Sequence, residues 1–373
     1  MNTHKNRVFI TAAEVLVPPA QGLSEFLQKN LQSENNSSRE TNLNYKVKIS
    51  KQKVIESLDF SLDPSDPHHP SIKDVKSMRV DVIAMCICLA KMLKSYGESN
   101  WSEVPLFVST GASASGLTEE IQSIYELIND HLSSSDLKRN EQVSRDIHPL
   151  FALKALTNSA QAYAAQLFGF RGQNTSFGST SHASYYAFSE AIDAIQFGES
   201  DRVVIGASSG GGFYSQLMNL GLCPEGQSFC ESPAAVALIL ESEKSLRTKK
   251  LKALCEVFGV KTKEALPDFK RDESQKYYYD FHSNAQEFAI YSGGASQESF
   301  LEEQKAVCNH WTSSLSPYKN LGDTGCASVL LNIALGFQLI KENRQTEVDC
   351  LNTDTFFRES CIQLGAPLIE VGQ

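Results

Sequence analysis

No run of about 18 apolar residues occurs anywhere in this chain, so no bilayer-spanning helix is expected. The opening stretch MNTHKNRVFITAAEVL carries two basic residues but only a short, broken apolar run, which fits no secretory leader. A surplus of positive charge is also missing. The 34 lysines and arginines face 44 aspartates and glutamates, a net charge of −10, which argues against nucleic acid or an anionic membrane as the main partner. No C-x-x-C pair is present. The nine cysteines stand singly at 86, 88, 223, 230, 255, 308, 326, 350 and 361, an odd, irregular set that describes neither a disulfide framework nor zinc ligands. Reduced, buried thiols in a soluble cytoplasmic protein are the expectation. His68 and His69 sit in the proline-rich loop DPSDPHHPS without a further ligand at useful spacing, and neither metal nor cofactor is expected.

What is present suffices for a large core. A chain of 373 residues, 41% of them apolar, should bury about three quarters of its unfolded surface. RVFITAAEVLVPP (7–19) reads as a β-branched strand running into a turn, followed by a helix over 22–32. VKSMRVDVIAMCICLAKMLKSYG (75–97) predicts a long helix whose centre, VIAMCICLA, is apolar on nearly every face and so buried on most sides. A strand at 104–110, an alanine-rich helix over 148–172, and strands at 201–209 and 233–242 follow. At 251 the pattern restarts with LKALCEVFGV, and helix and strand signals continue through SVLLNIALGFQLIKE (328–342). This alternation predicts an α/β fold with buried sheets, built from two duplicated halves, 1–250 and 251–373.

Two stretches invite a chemical reading. RVVIGASSGGGF (202–213) places glycines directly after a strand, as a dinucleotide-binding loop would. Its position argues otherwise: about 200 residues precede it, where such a loop opens the first βαβ unit. A glycine-rich turn is the reading kept. In GSTSHASYYAFSEAIDAIQFGESD (178–201), Ser181 begins a predicted helix with Ala187, Ala191 and Ile195 on one face and Gly198 just past its end. A side chain at such a start feels the positive end of the helix dipole, a setting that lowers a thiol pKa and supports an oxyanion.

This stretch resembles the nucleophile region of the β-ketoacyl synthases, condensing enzymes of the thiolase fold, in which T-A-C-S-S starts the helix and G-E-x-D ends the segment. Ser179, Thr180 and Ser181 fall on T-A-C, and Gly198, Glu199 and Asp201 fall on G-E-x-D without a gap. The opening strand and helix, ESPAAVALILES (231–242) and YKNLGDTGCASVLLNIAL (318–335) are similar to family segments in the same order. The resemblance covers nearly the whole chain and implies a five-layer αβαβα fold.

The departures are as informative. Condensing members of the family use a cysteine with two histidines, or with a histidine and an asparagine. Here Ser181 stands at the cysteine position, Ser292 of AIYSGGAS at the first histidine and Asp323 of LGDTG at the second. Tyr318 replaces a common lysine, and the late glycine-rich loop reads TFFRES (355–360). A serine nucleophile needs a base within hydrogen-bond reach. His182 is adjacent on the helix, where neighbouring side chains do not face each other, and His282 and His310 lie outside the motif positions. An anionic Asp323 beside a forming enolate would cost about 4 kcal/mol at about 4 Å and a dielectric of about 20, slowing the step nearly a thousandfold.

The resemblance therefore implies a catalytically vestigial subunit similar to the chain length factors of type II polyketide and aryl polyene systems. Such a subunit would form a heterodimer with a cysteine-containing β-ketoacyl synthase and meet an acyl carrier protein through that complex. The pairing strand would be VVIGAS or the strand before Ser181. Tyr185, Tyr186 and Phe188 are candidates for lining the shared tunnel, with ordinary core packing as the competing reading. The alternative function is a thiolase-fold acyltransferase with Ser181 as nucleophile.

Overall fold

The computed structural model describes residues 6–35 apart from 18, 19 and 21, 77–111 apart from 99, then 156, 158–210, 232–263, 288–292, 304, 307–353 and 359–367. The His68–His69 loop, His282, Cys223, Cys230, the GASASG turn beyond Gly111, the glycines at 211 and 212 and most of TFFRES lie outside them.

Ten strands form one mixed sheet among the described residues: β1 (Val8–Leu16), β2 (Leu106–Gly111), β3 (Asn174–Ser179), β4 (Arg202–Ser209), β5 (Ala234–Ser242), β6 (Cys255–Lys263), β7 (Phe288–Ser292), β8 (Ser313–Leu315), β9 (Glu347–Thr353) and β10 (Glu359–Gly365). Their order is β3-β2-β4-β5-β1-β6-β10-β9-β7-β8. The last five strands repeat the first five in mirror order. β2 runs parallel to β3 and β4, while β5 is antiparallel to β4 and β1. In the same way β7 runs parallel to β8 and β9, while β10 is antiparallel to β9 and β6. The two fives meet where Val8, Phe9 and Ile10 of β1 pair with Val257, Glu256 and Cys255 of β6.

Both faces of the central strands β4 and β5 are buried, which explains their continuous apolar runs. On β5, Val236, Leu238 and Leu240 enter one core, while Ala235, Ala237 and Ile239 enter another with α2 (Val80–Tyr96) and α3 (Ser159–Phe168). The first core is shared with α4 (His182–Gln196) and α7 (Ser328–Lys341), the helices between the two five-strand sets. Beyond β7 and β9, Ala289, Tyr291 and Leu351 pack with Val307, Trp311 and Tyr318. The result is the five-layer, thiolase-like αβαβα arrangement. Of the shorter helices, α1 (Leu23–Asn35) packs on α7 and β1, α5 (Glu243–Lys249) follows β5, and α6 (Tyr318–Leu321) precedes the site turn.

Several boundaries depart from expectation. The described part of the alanine-rich helix is α3 alone, which ends at Phe168 and not at 172, because Gly169 takes a left-handed φ of 75°. α5 was not expected at all; Ser242, the last residue of β5, caps it by accepting a hydrogen bond from the Ser245 N–H at 3.1 Å. VVIGAS is corrected as a pairing strand. It lies in β4, bonded on both sides to β2 and β5, so it has no free edge. The strand before Ser181, β3, is the one at the sheet's end.

Candidate functional site

Ser181 stands immediately before α4 with helical backbone angles, and its side chain caps nothing in the helix. The hydroxyl is turned to the second half of the chain, where the Asn352 Nδ2–H donates to Ser181 Oγ at 3.1 Å. Asn352 belongs to β9, whose parallel pairing with β7 sets it opposite Ser292. The Ser292 hydroxyl lies 2.9 Å from Asn352 Oδ1, and Asn332 Nδ2 on α7 lies 3.0 Å from Ser292 Oγ. Four side chains, from the residue before α4 and from β9, β7 and α7, thus form one chain of hydrogen bonds.

The polarity of this chain follows from its far end. Asn332 Nδ2 also lies 2.8 Å from the Leu351 carbonyl, which can only accept, so the amide must present its N–H groups to both Leu351 and Ser292. Ser292 Oγ accepts there and spends its own proton on Asn352 Oδ1. The Asn352 amide is thereby oriented with its nitrogen towards Ser181. Reversing Asn332 would set its oxygen against a carbonyl oxygen. Its Oδ1 has no partner among the described residues, a desolvation cost of about 1–3 kcal/mol that the arrangement sustains.

Chemically the chain is neutral throughout. Ser181 receives a hydrogen bond from an amide, a group that cannot take up a proton near neutral pH, and its side chain makes no other bond among the described residues. The adjacent His182 turns elsewhere: its ring packs against Tyr185 and Tyr186 with centroids 5.1 and 5.7 Å away, and its Nε2 lies 3.4 Å from Thr262 Oγ1. His310 is exposed beside Trp311.

Asp323 has a local task. Its Oδ1 accepts the Gly325 N–H at 2.9 Å and the Ser328 hydroxyl at 3.4 Å, and so holds the tight turn Gly325–Ala327 that starts α7. The turn is locked from below, where the Ser109 hydroxyl donates to the Cys326 carbonyl at 3.1 Å and the Cys326 thiol to the Ser208 carbonyl at 2.8 Å. Burial, with the Asp81 carboxylate next in weight, raises the Cys326 thiol pKa. Asp81 is itself paired with Arg79 at 2.8 Å, both side chains fully buried at the start of α2. Tyr318 fills an apolar cluster with Tyr291, Val307 and Trp311.

The tunnel candidates differ in setting. Phe188 is fully buried in the core between α4 and the sheet, Tyr185 is buried at its edge, and Tyr186 is half-buried. Burial raises the Tyr185 phenol pKa, with hydrogen bonds involving Thr262 and Ser189 acting against it. Of the predicted positions, Ser181 and Ser292 are brought together, whereas Asp323 is engaged in its own turn. Sequence reasoning missed Asn332 and Asn352, which join them. The one available signal was the placement of Asn352 just ahead of TFFRES, the segment similar to the family's late loop.

The family model for the N-terminal domain of β-ketoacyl synthases matches residues 5–213. No curated protein matches the chain in sequence. Among solved structures, the chain is similar to a type II polyketide synthase ketosynthase in complex with its acyl-carrier protein and bound to the hexaketide, at 15% identity and a TM-score of 0.72 over 97% of this chain and 100% of that one. A β-ketoacyl synthase from Burkholderia phymatum is 12% identical with a TM-score of 0.68, over 97% and 100% of the two chains. The ishigamide ketosynthase/chain length factor is 12% identical with a TM-score of 0.65, over 96% and 99%.

Proposed function

The chain belongs to the β-ketoacyl synthase family, and from that premise we propose that it is a non-catalytic, ketosynthase-like subunit, a chain length factor. In this reading it pairs with a cysteine-bearing synthase and helps to shape the tunnel that holds a growing polyketide or fatty-acid-type chain. The observation that carries the reading is the bond from Asn352 to Ser181: the residue at the nucleophile position is partnered by an amide, not a base. A malonyl-decarboxylating step also lacks its histidines, since Ser292 is spent on the amide chain and Asp323 on its turn. The competing acyltransferase needs a base on Ser181, and none bonds it among the described residues.

Pairing is assigned to β3. As an end strand bonded among the described residues to β2 alone, it leaves a row of backbone groups for a partner strand. The acyl carrier protein would be met through the complex. The division into halves at 250/251 belongs to the same proposal, and the mirrored strand order on either side of it is its support. No helix among the described residues is long and apolar enough to cross a membrane. Co-expression with a cysteine-containing β-ketoacyl synthase from the same source, followed by size measurement, is the test. A stable heterodimer is expected; a well-behaved monomer that never co-purifies would remove the assignment.

A further inference from the structure

Donor and acceptor bookkeeping along the amide chain leaves two protons unspent at one point. Asn332 uses both amide protons, on Ser292 and on Leu351, and Ser292 uses its single one on Asn352. Asn352 has two amide protons and spends one, on Ser181; the hydroxyl proton of Ser181 has no acceptor among the described residues. Both residues are more than nine-tenths buried, with 7% of Ser181 and 2% of Asn352 exposed. A buried donor without an acceptor is costly, and here two of them sit on atoms 3.1 Å apart.

We propose that Ser181 Oγ–H and the second Nδ2–H of Asn352 form a two-donor binding point for one neutral carbonyl oxygen, that of an acyl chain, with Ser292 and Asn332 as positioning residues. One oxygen at about 3 Å from each donor satisfies both. The oxygen is a neutral one, because the four members are uncharged and no cation among the described residues is bonded to any of them, so a carboxylate would enter without compensation. The choice of an acyl chain rests on the ketosynthase-like reading above; the two-donor point itself does not.

The test compares two probes on the purified full chain. One is the ketone made by alkylating N-acetylcysteamine with bromomethyl heptyl ketone; the other is the nonyl thioether that lacks only its oxygen. Binding of the ketone should be at least about tenfold tighter, and Ser181→Ala should lower that preference by about fivefold to tenfold, the worth of one neutral hydrogen bond. Ser292→Ala should weaken the preference and Ser292→Thr retain it, a rescue that a merely structural role would not give. Equal affinity of the two probes in the unaltered chain, absence of binding by either, or a preference unchanged in Ser181→Ala would each overturn the proposal. The first comparison needs no variant and so survives a misfolded one. A chain that prefers the ketone yet never co-purifies with a synthase would leave this inference standing while the pairing fails.

Discussion

At the scale of single residues, the proposed loss of catalysis turns on what surrounds the serine at the nucleophile position. Ser181 stands at the head of α4, and the groups bonded to it form a neutral relay in which the orientations of Asn332, Ser292 and Asn352 follow from the Leu351 carbonyl. The purified chain is therefore expected to show no malonyl decarboxylation or elongation; turnover that disappears in Ser181→Ala would refute this. Ser181→Cys alone should not create a condensing enzyme, since Ser292 and Asp323 remain and groups that act as a unit are not restored one at a time. That variant should nevertheless differ from the native cysteines. Of the seven cysteines among the described residues six are buried, and desolvation pushes the Cys86 thiol up to about 12 and raises those of Cys88, Cys255, Cys326, Cys350 and Cys361 as well. Among the described residues Cys308 is exposed, an exception to the expectation of buried thiols. Iodoacetamide at neutral pH should thus label Cys308 and spare the other six until unfolding, and because these pKa values are raised, reactivity should grow only as pH climbs. A thiolate at 181 would accept the Asn352 N–H at a helix start, so it should be labelled faster than the buried six. Equal protection of all seven would contradict this account.

At the scale of elements, turns and edges decide what the strands and helices can do. Gly325 carries a φ of 51°, and a Cβ there would lie 2.7 Å from Ser209 Oγ. Gly325→Ala should therefore destabilise by more than the ~1–2 kcal/mol of the left-handed backbone alone. Adding Ser209→Ala should return the steric part and leave the backbone part, which a denaturation series on both variants reads directly. The end strand β3 gives a second expectation. Thr175→Lys places a guarding charge on that strand, so it should reduce pairing with a synthase while leaving the melting temperature nearly unchanged; the same charge in β4 would unfold the chain. These elements were unequally legible in the sequence. β5 and β4 were plain because both their faces are buried and their runs are apolar throughout. β8 is three residues long and β9 mixes Asp349, Asn352 and Thr353 into its run, so neither has a readable period. The site was half legible. Motif order flagged Ser181 and Ser292, but Asn352 reaches Ser181 across 171 residues, a contact that only the pairing of β9 with β7 creates.

At the scale of the whole molecule, the proposal makes this chain one wall of a shared cavity, and the three aromatic candidates test that claim to different depths. Phe188 is fully buried, so Phe188→Ala should cost about 3–5 kcal/mol through the cavity it leaves. A change in the partner's products from that variant would report a damaged subunit as readily as a widened tunnel. Tyr185 is compromised in another way, since it packs on His182 and bonds with Thr262 and Ser189. Tyr186 is the clean probe. It is half-buried at the edge of the core, with its ring 5.7 Å from that of Tyr185. Removing its ring should disturb packing least while changing any surface that the partner's chain meets. With the complex purified intact, Tyr186→Ala should lengthen the products of the paired synthase, and Tyr186→Trp should shorten them. Opposite shifts from a smaller and a larger side chain are the signature of a wall, because loss of stability would move both variants in the same direction. Products of unchanged length from both would place Tyr186 in ordinary packing and move the search for the tunnel wall to another element of the subunit.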